Sequence, residues 1–249
     1  MVNETLSAVS SNSGARLSSK YWKAYLRFLN DPSDNDVLVE DLIQQKCHED
    51  KYFESLRGCP TVVMLVLAEI MEHLSLGKLG SPTDQMIITE RKYQRWETLL
   101  LGYYSAELST PMMHLAESFR YAALVYLMRR IRKLPYTDSA VQGYVYLTLE
   151  HISCLDSAKP GFNATWPKMM AGLELDELTY PQLASRLLLD IQNTHLIRTN
   201  LCRDRSHDES EELLLSTWLK RRNCQTWEER IAVDWLDIAT GGGRRLTIW

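Results

Sequence analysis

Between His114 and Ile131 the chain reads "HLAESFRYAALVYLMRRI", apolar nearly all the way round a helical period, with one narrow stripe of His114, Glu117, Ser118 and Tyr121. These are the residue types that move protons. An imidazole, a carboxyl and a phenol walled in by apolar side chains can have shifted pKa values and act as acid or base without a cofactor. A helix apolar on every side is buried, so its polar stripe faces either water or an internal pocket. His114, Glu117 and Tyr121 are therefore the candidate catalytic groups. His73 and His151, also on apolar segments, are candidates to face them, with Trp166, Met169 and Met170 as candidate substrate-binding walls.

Other chemistries fit less well. Glu69 and His73 stand at i, i+4 in "EIMEH", and His114 and Glu117 at i, i+3. A carboxylate-bridged di-iron bundle needs a Glu-x-x-His on each of two helices, and the chain contains none. An i, i+4 Glu–His pair is an ordinary helix-surface feature. No metal site is expected. Phosphate-cradling glycine loops and the G-x-S-x-G nucleophile turn are absent as well, so no cofactor is expected. The inventory of seven Trp, twelve Tyr and nine Met against four Phe suits an adaptable cavity for an apolar small molecule, because Met conforms to its ligand and Tyr places a hydroxyl at the edge.

The elements that must position these residues are helices. Apolar residues recur at i, i+3 and i+4 along the chain, and alternating strand patterns are almost lacking. The pattern predicts an all-α fold, a single multi-helix domain of about ten helices around a central buried helix. They fall near 18–29, 35–47, 61–77, 84–104, 111–133, 137–154, 163–175, 180–199, 209–221 and 226–239. Residues 1–18 read as a flexible polar tail, residues 19–249 as the domain, and "NLCRDRSHDESEE" (200–212) as a mobile charged loop. Asp84, Thr110 and Ser139 are expected helix caps.

Composition narrows the partners. A net charge of -4 gives no general attraction to nucleic acid or anionic membrane. The basic clusters Arg129–Lys133 and Lys220–Arg222 fall at predicted helix C-termini, where cations complement the macrodipole. Five scattered cysteines suit a reducing, intracellular compartment and buried thiols, and no C-x-x-C spacing offers a zinc module. The longest apolar run, Cys59 to Leu76, carries Glu69, Glu72 and His73, and is expected to be a core helix rather than a membrane span.

Three stretches in order add a resemblance: "FRYAALVYLMRRIRKLP" from Phe119, "TWPKMMAGLEL" from Thr165, and "STWLKRRNCQTWEERIAVDWLDIATGGGRRLTIW" from Ser216. Arg120, Ala122, Ala123, Leu124, Tyr126 and Leu127 carry the first match. Trp166, Pro167, Ala171 and Gly172 carry the second, and Trp218, Arg221, Arg222 and Trp235 the third. Together they resemble the fungal-specific transcription factor domain, the helical regulatory region that follows the zinc-cluster DNA-binding module in fungal regulators. The resemblance implies an all-α scaffold able to bind small molecules or protein partners; the expected partners are an apolar small molecule and a protein partner or a second copy of the chain. The six-cysteine zinc cluster of that family has no counterpart in these 249 residues, so direct DNA reading by that route is not expected.

Two functions follow as expectations. One is a cofactor-independent isomerase or cyclase, pericyclase-like, that folds an apolar terpenoid or polyketide into a reactive conformer, with positioning supplying much of the rate. It would be cytoplasmic. The other is a regulator or co-regulator that binds a metabolite or protein partner and works in the nucleus.

Overall fold

The computed structural model describes residues 59–76, 82–103, 108–155, 164–199 and 205–241. Nine helices and no strand lie among them: α1 Thr61–Leu76, α2 Pro82–Gly102, α3 Thr110–Arg130, α4 Ser139–Leu155, α5 Thr165–Glu174, α6 Pro181–Thr199, α7 Arg205–Arg222, α8 Trp227–Ile231 and α9 Trp235–Gly241. The all-α expectation holds. The expected tail at 1–18 and helices at 18–29 and 35–47 fall outside the described residues.

Helix α3 is the centre. Every residue from Ala122 to Arg130 is buried, and the helix packs on α4 and α5 along its length and on α1 and α2 at further faces. Its apolar residues wrap the axis because it has neighbours on several sides. Trp96, Leu100, Leu124, Tyr126 and Trp235 are almost wholly enclosed around it. The phenol of Tyr126 donates to Met71 Sδ at 3.0 Å, and burial pushes its pKa up to about 12. α3 ends where Lys133 takes a left-handed φ of 55°, turning the chain so that the Leu134 N–H reaches the Met128 carbonyl.

Several boundaries differ from expectation for local reasons. The cap position of α3 is Ser109, with Thr110 and Pro111 already in the first turn. At α4 the Asp138 carboxylate accepts from the Ala140 N–H, so Asp138 does the work expected of Ser139. Asp84 lies inside α2. The charged stretch expected to be a loop through Glu212 is helical from Arg205, and residues 200–204 fall outside the described residues. The last helix is two. Thr226 and Glu229 form a reciprocal capping box for α8. The chain then breaks at Asp234, whose carboxylate accepts from the Leu236 N–H and starts α9.

Candidate functional site

Of the predicted residues, the fold brings His114, Glu117, Tyr121 and His151 together at the contact of α3 with α4. His114 Nδ1 and His151 Nδ1 are 2.9 Å apart, a hydrogen bond in which one ring donates and the other accepts. The Tyr121 ring stacks on His151 at 5.6 Å and on Tyr144 at 5.8 Å, and the Arg120 guanidinium lies 4.3 Å from the Tyr121 centroid. Arg120 Nε donates to Glu117 at 2.8 Å, and Ser118 Oγ donates to the Leu115 carbonyl at 2.6 Å. The stripe thus faces a neighbouring helix rather than bulk water. Burial lowers the His151 pKa, and the Glu117 and Glu150 charges oppose that shift.

The remaining candidates sit elsewhere. His73 is at the α1–α2 contact, its Nε2 3.1 Å from Thr89 Oγ1 and its ring edge-on to Trp96 at 5.7 Å. Burial lowers its pKa, and Lys92 adds to the shift. Glu69 does not pair with it: Glu69 accepts from Trp96 Nε1 at 2.6 Å and lies 3.8 Å from Arg95. Trp166 is buried and lies parallel to Phe119 at 5.8 Å, its indole N–H without a partner among the described residues. Met169 and Met170 are both in the core. Among the described residues, no three His, Cys, Asp or Glu side chains are grouped to hold a metal ion, and no helix is long and apolar enough to cross a membrane.

A second polar constellation lies deep in the core where α3, α5, α7 and α9 meet, and sequence reasoning missed its role. Glu174, at the end of α5, accepts from Arg129 Nε at 2.7 Å and from Trp235 Nε1 at 2.9 Å. Arg221, with no exposed surface, donates to the Leu173 carbonyl at 2.7 Å and the Leu175 carbonyl at 3.1 Å. Those are the orphan acceptors of a helix C-terminus, satisfied here by a side chain. Its guanidinium lies 3.7 Å from the Tyr136 centroid and 3.9 Å from both Glu174 and Glu177. Gln142 Nε2 donates to the Glu174 carbonyl, and its Oε1 accepts from the Asp176 N–H. Trp218 Nε1 donates to the Gly172 carbonyl at 3.0 Å. Arg130 pairs with Asp234, and Arg230 with Asp176.

Electrostatics in this constellation follow from burial. Desolvation lowers the Arg221 pKa against the pull of Glu174, and it raises that of Glu177. Burial alone would raise Asp234; the Arg130 charge and the Leu236 N–H hold it below the usual carboxylate value. Arg129, Arg130 and Arg221 lie in the last turns of α3 and α7, as expected, and are also internal ties of the core. The signal was present in the sequence: Leu214, Thr217, Trp218 and Arg221 repeat at i, i+3, i+4 and i+7, which puts Arg221 on the buried face of α7.

One open cleft lies apart from both clusters. It encloses about 280 Å³ between α4 and α6, with Leu149, Ile152, Leu183 and Leu187 apolar and Glu150 and Arg186 charged among its lining. None of His73, His114, Glu117, Tyr121, His151, Trp166, Met169 and Met170 lines it.

Comparison with known proteins returns no match among curated proteins and none among solved structures. Comparison with protein families matches residues 2–248 to the fungal specific transcription factor domain. The match takes in α1 to α9, with Trp218, Arg221 and Trp235 at the centre of the buried network. The chain belongs to the fungal specific transcription factor domain family.

Proposed function

We propose that this chain is a regulatory domain that acts in the nucleus by binding a metabolite or a protein partner, and that DNA contact comes from a module outside these residues. The family match over 2–248 carries this reading. The polar groups of α3 agree with it, since His114 and Tyr121 engage α4 while Glu117 and Ser118 bond to residues of α3 itself. The cleft between α4 and α6 is where we assign the ligand: apolar walls to desolvate it, and Arg186 and Glu150 to orient it. Joining the chain to a foreign DNA-binding domain beside a reporter tests the reading. Reporter output should depend on the domain and change with Leu183→Glu in the cleft. Output equal to the DNA-binding domain alone, together with an unaltered transcript profile on deletion, would refute it.

A second reading, the cofactor-free isomerase or cyclase, rests on the hydrogen-bonded His114–His151 pair beside Glu117 and Tyr121, groups able to pass a proton. Purified protein incubated with terpenoid or polyketide precursors would have to yield a product that His114→Gln abolishes. No turnover across such a panel removes this reading.

A further inference from the structure

The cleft between α4 and α6 carries two opposite charges on its two walls, Glu150 on α4 and Arg186 on α6. Both are exposed, and among the described residues neither charged group makes a hydrogen bond or an ion pair, with the other or with a third group. The remaining charged group of the lining, Asp190, is held by Lys168. The apolar part of the lining is continuous with the core: Ile152 and Leu187 are buried, and Leu149 and Leu183 are half-buried against them.

Two unpaired charges of opposite sign select a ligand by exclusion. A carboxylate alone would dock on Arg186 and be repelled by Glu150, and an amine alone would suit Glu150 and be repelled by Arg186. A molecule that carries both groups satisfies both walls. Its carboxylate accepts from the forked guanidinium, and its ammonium donates to the Glu150 carboxylate. The rest of it has to be apolar, to cover the leucines between. Size narrows the class further. The cleft encloses about 280 Å³. At ~30 Å³ for each water that is room for about nine waters, or a ligand of about a dozen non-hydrogen atoms. An α-amino acid is the smallest molecule that joins the two charges to one apolar group. We infer that the cleft is a site for a free α-amino acid with an apolar side chain, of the size of leucine or phenylalanine, its carboxylate on Arg186, its ammonium on Glu150 and its side chain against Leu183 and Leu187.

The inference rests on the regulatory reading only for the place of the ligand, and calorimetric titration of the purified full chain tests it apart from any reporter. The probes are L-phenylalanine, L-leucine, glycine, N-acetyl-L-phenylalanine and L-phenylalanine amide. Phenylalanine and leucine should bind with dissociation constants on the order of 0.1–1 mM, the range open to a ligand of this size. Glycine, the acetyl derivative and the amide should each bind at least about tenfold more weakly, for want of the apolar contact, the ammonium and the carboxylate in turn. Two variants assign each charge to its wall. Glu150→Gln should weaken phenylalanine about tenfold and cease to distinguish it from its acetyl derivative, while still rejecting the amide. Arg186→Gln should accept the amide as well as phenylalanine and still reject the acetyl derivative. Both positions are exposed, so helical circular dichroism should be unchanged in either variant.

No binding of phenylalanine or leucine up to about 10 mM overturns the proposal. So does wild-type binding indifferent to acetylation or amidation, or binding untouched by both variants. Absence of binding beside a domain-dependent reporter strikes the amino-acid class and leaves the regulatory reading standing; binding beside an inert reporter does the reverse.

Discussion

Replacing Arg221 with Met tests whether the buried network holds the fold together. The substitution keeps most of the side chain's volume and removes its charge and its donors. Two carbonyls, of Leu173 and Leu175, lose their hydrogen bonds at the buried end of α5. An acceptor left unsatisfied in the interior costs about 1–3 kcal/mol. Glu177, already raised by burial, loses a cation at 3.9 Å. Removing one partner of a buried ion pair costs about 3–5 kcal/mol in all, and the apolar packing of Met offsets little of it. A net loss of about 4 kcal/mol is expected, a large part of the 5–15 kcal/mol by which domains are stable. With a urea dependence of about 2.5 kcal/mol per molar, the unfolding midpoint followed by circular dichroism should fall by about 1.5 M. Adding Glu177→Gln should recover some 1–2 kcal/mol, because the stranded carboxylate is then neutral. A loss below about 1 kcal/mol, or no recovery in the double variant, would show that the network is not what holds α5, α7 and the following turn together.

Burial lowers both His73 and His151 from 6.5, so the unfolded chain takes up protons more readily than the folded one. Their contribution to stability is full above pH 6.5 and is lost as pH falls from there through the lowered native values. Urea midpoints between pH 8 and 5.5 should decline, and less steeply in His151→Gln; identical slopes would contradict the burial argument. Gly172→Ala would place a methyl 2.7 Å from Leu187 Cδ2 and 3.2 Å from Leu214 Cδ1, where α5 is pressed against α6 and α7. Helix propensity favours Ala by about 1 kcal/mol and overpacking costs about 1–3 kcal/mol, so a net loss near 1 kcal/mol is expected. An unchanged or raised urea midpoint would mean that the two leucines give way freely.

The helices were legible in the sequence because they rest on local periodicity, and α3 at Thr110–Arg130 lies close to its expected 111–133. What local periodicity does not carry is which face meets which neighbour. His151 stands 37 positions from His114, and the two share a hydrogen bond only because α3 and α4 pack side by side. His73, on a pattern just as apolar, is held by Thr89 and Trp96 of α2 and belongs to another contact. The cationic clusters do lie at the last turns of α3 and α7, as expected, but their depth in the fold is a separate matter. A helix C-terminus suits cations wherever it lies; Arg129, Arg130 and Arg221 also end in the interior, which helical spacing signals for Arg221 and the carboxylate and carbonyl partners establish for all three.

The residues that carry the family resemblance explain how far that resemblance reaches. Trp166 stacks on Phe119, Trp218 holds the Gly172 carbonyl, Arg221 closes the end of α5, and Trp235 bonds Glu174. Each fixes one helix against another, and none lines the cleft between α4 and α6. Substituting them would cost stability whatever the chain binds, so they speak for the scaffold and not for a ligand. Arg186 in the cleft, and Leu215 and Leu219 on α7, are exposed and contribute little to holding the helices together, whereas Leu183 is half-buried against the core. Changes at exposed positions come at small cost to folding, so the scaffold places no demand on them.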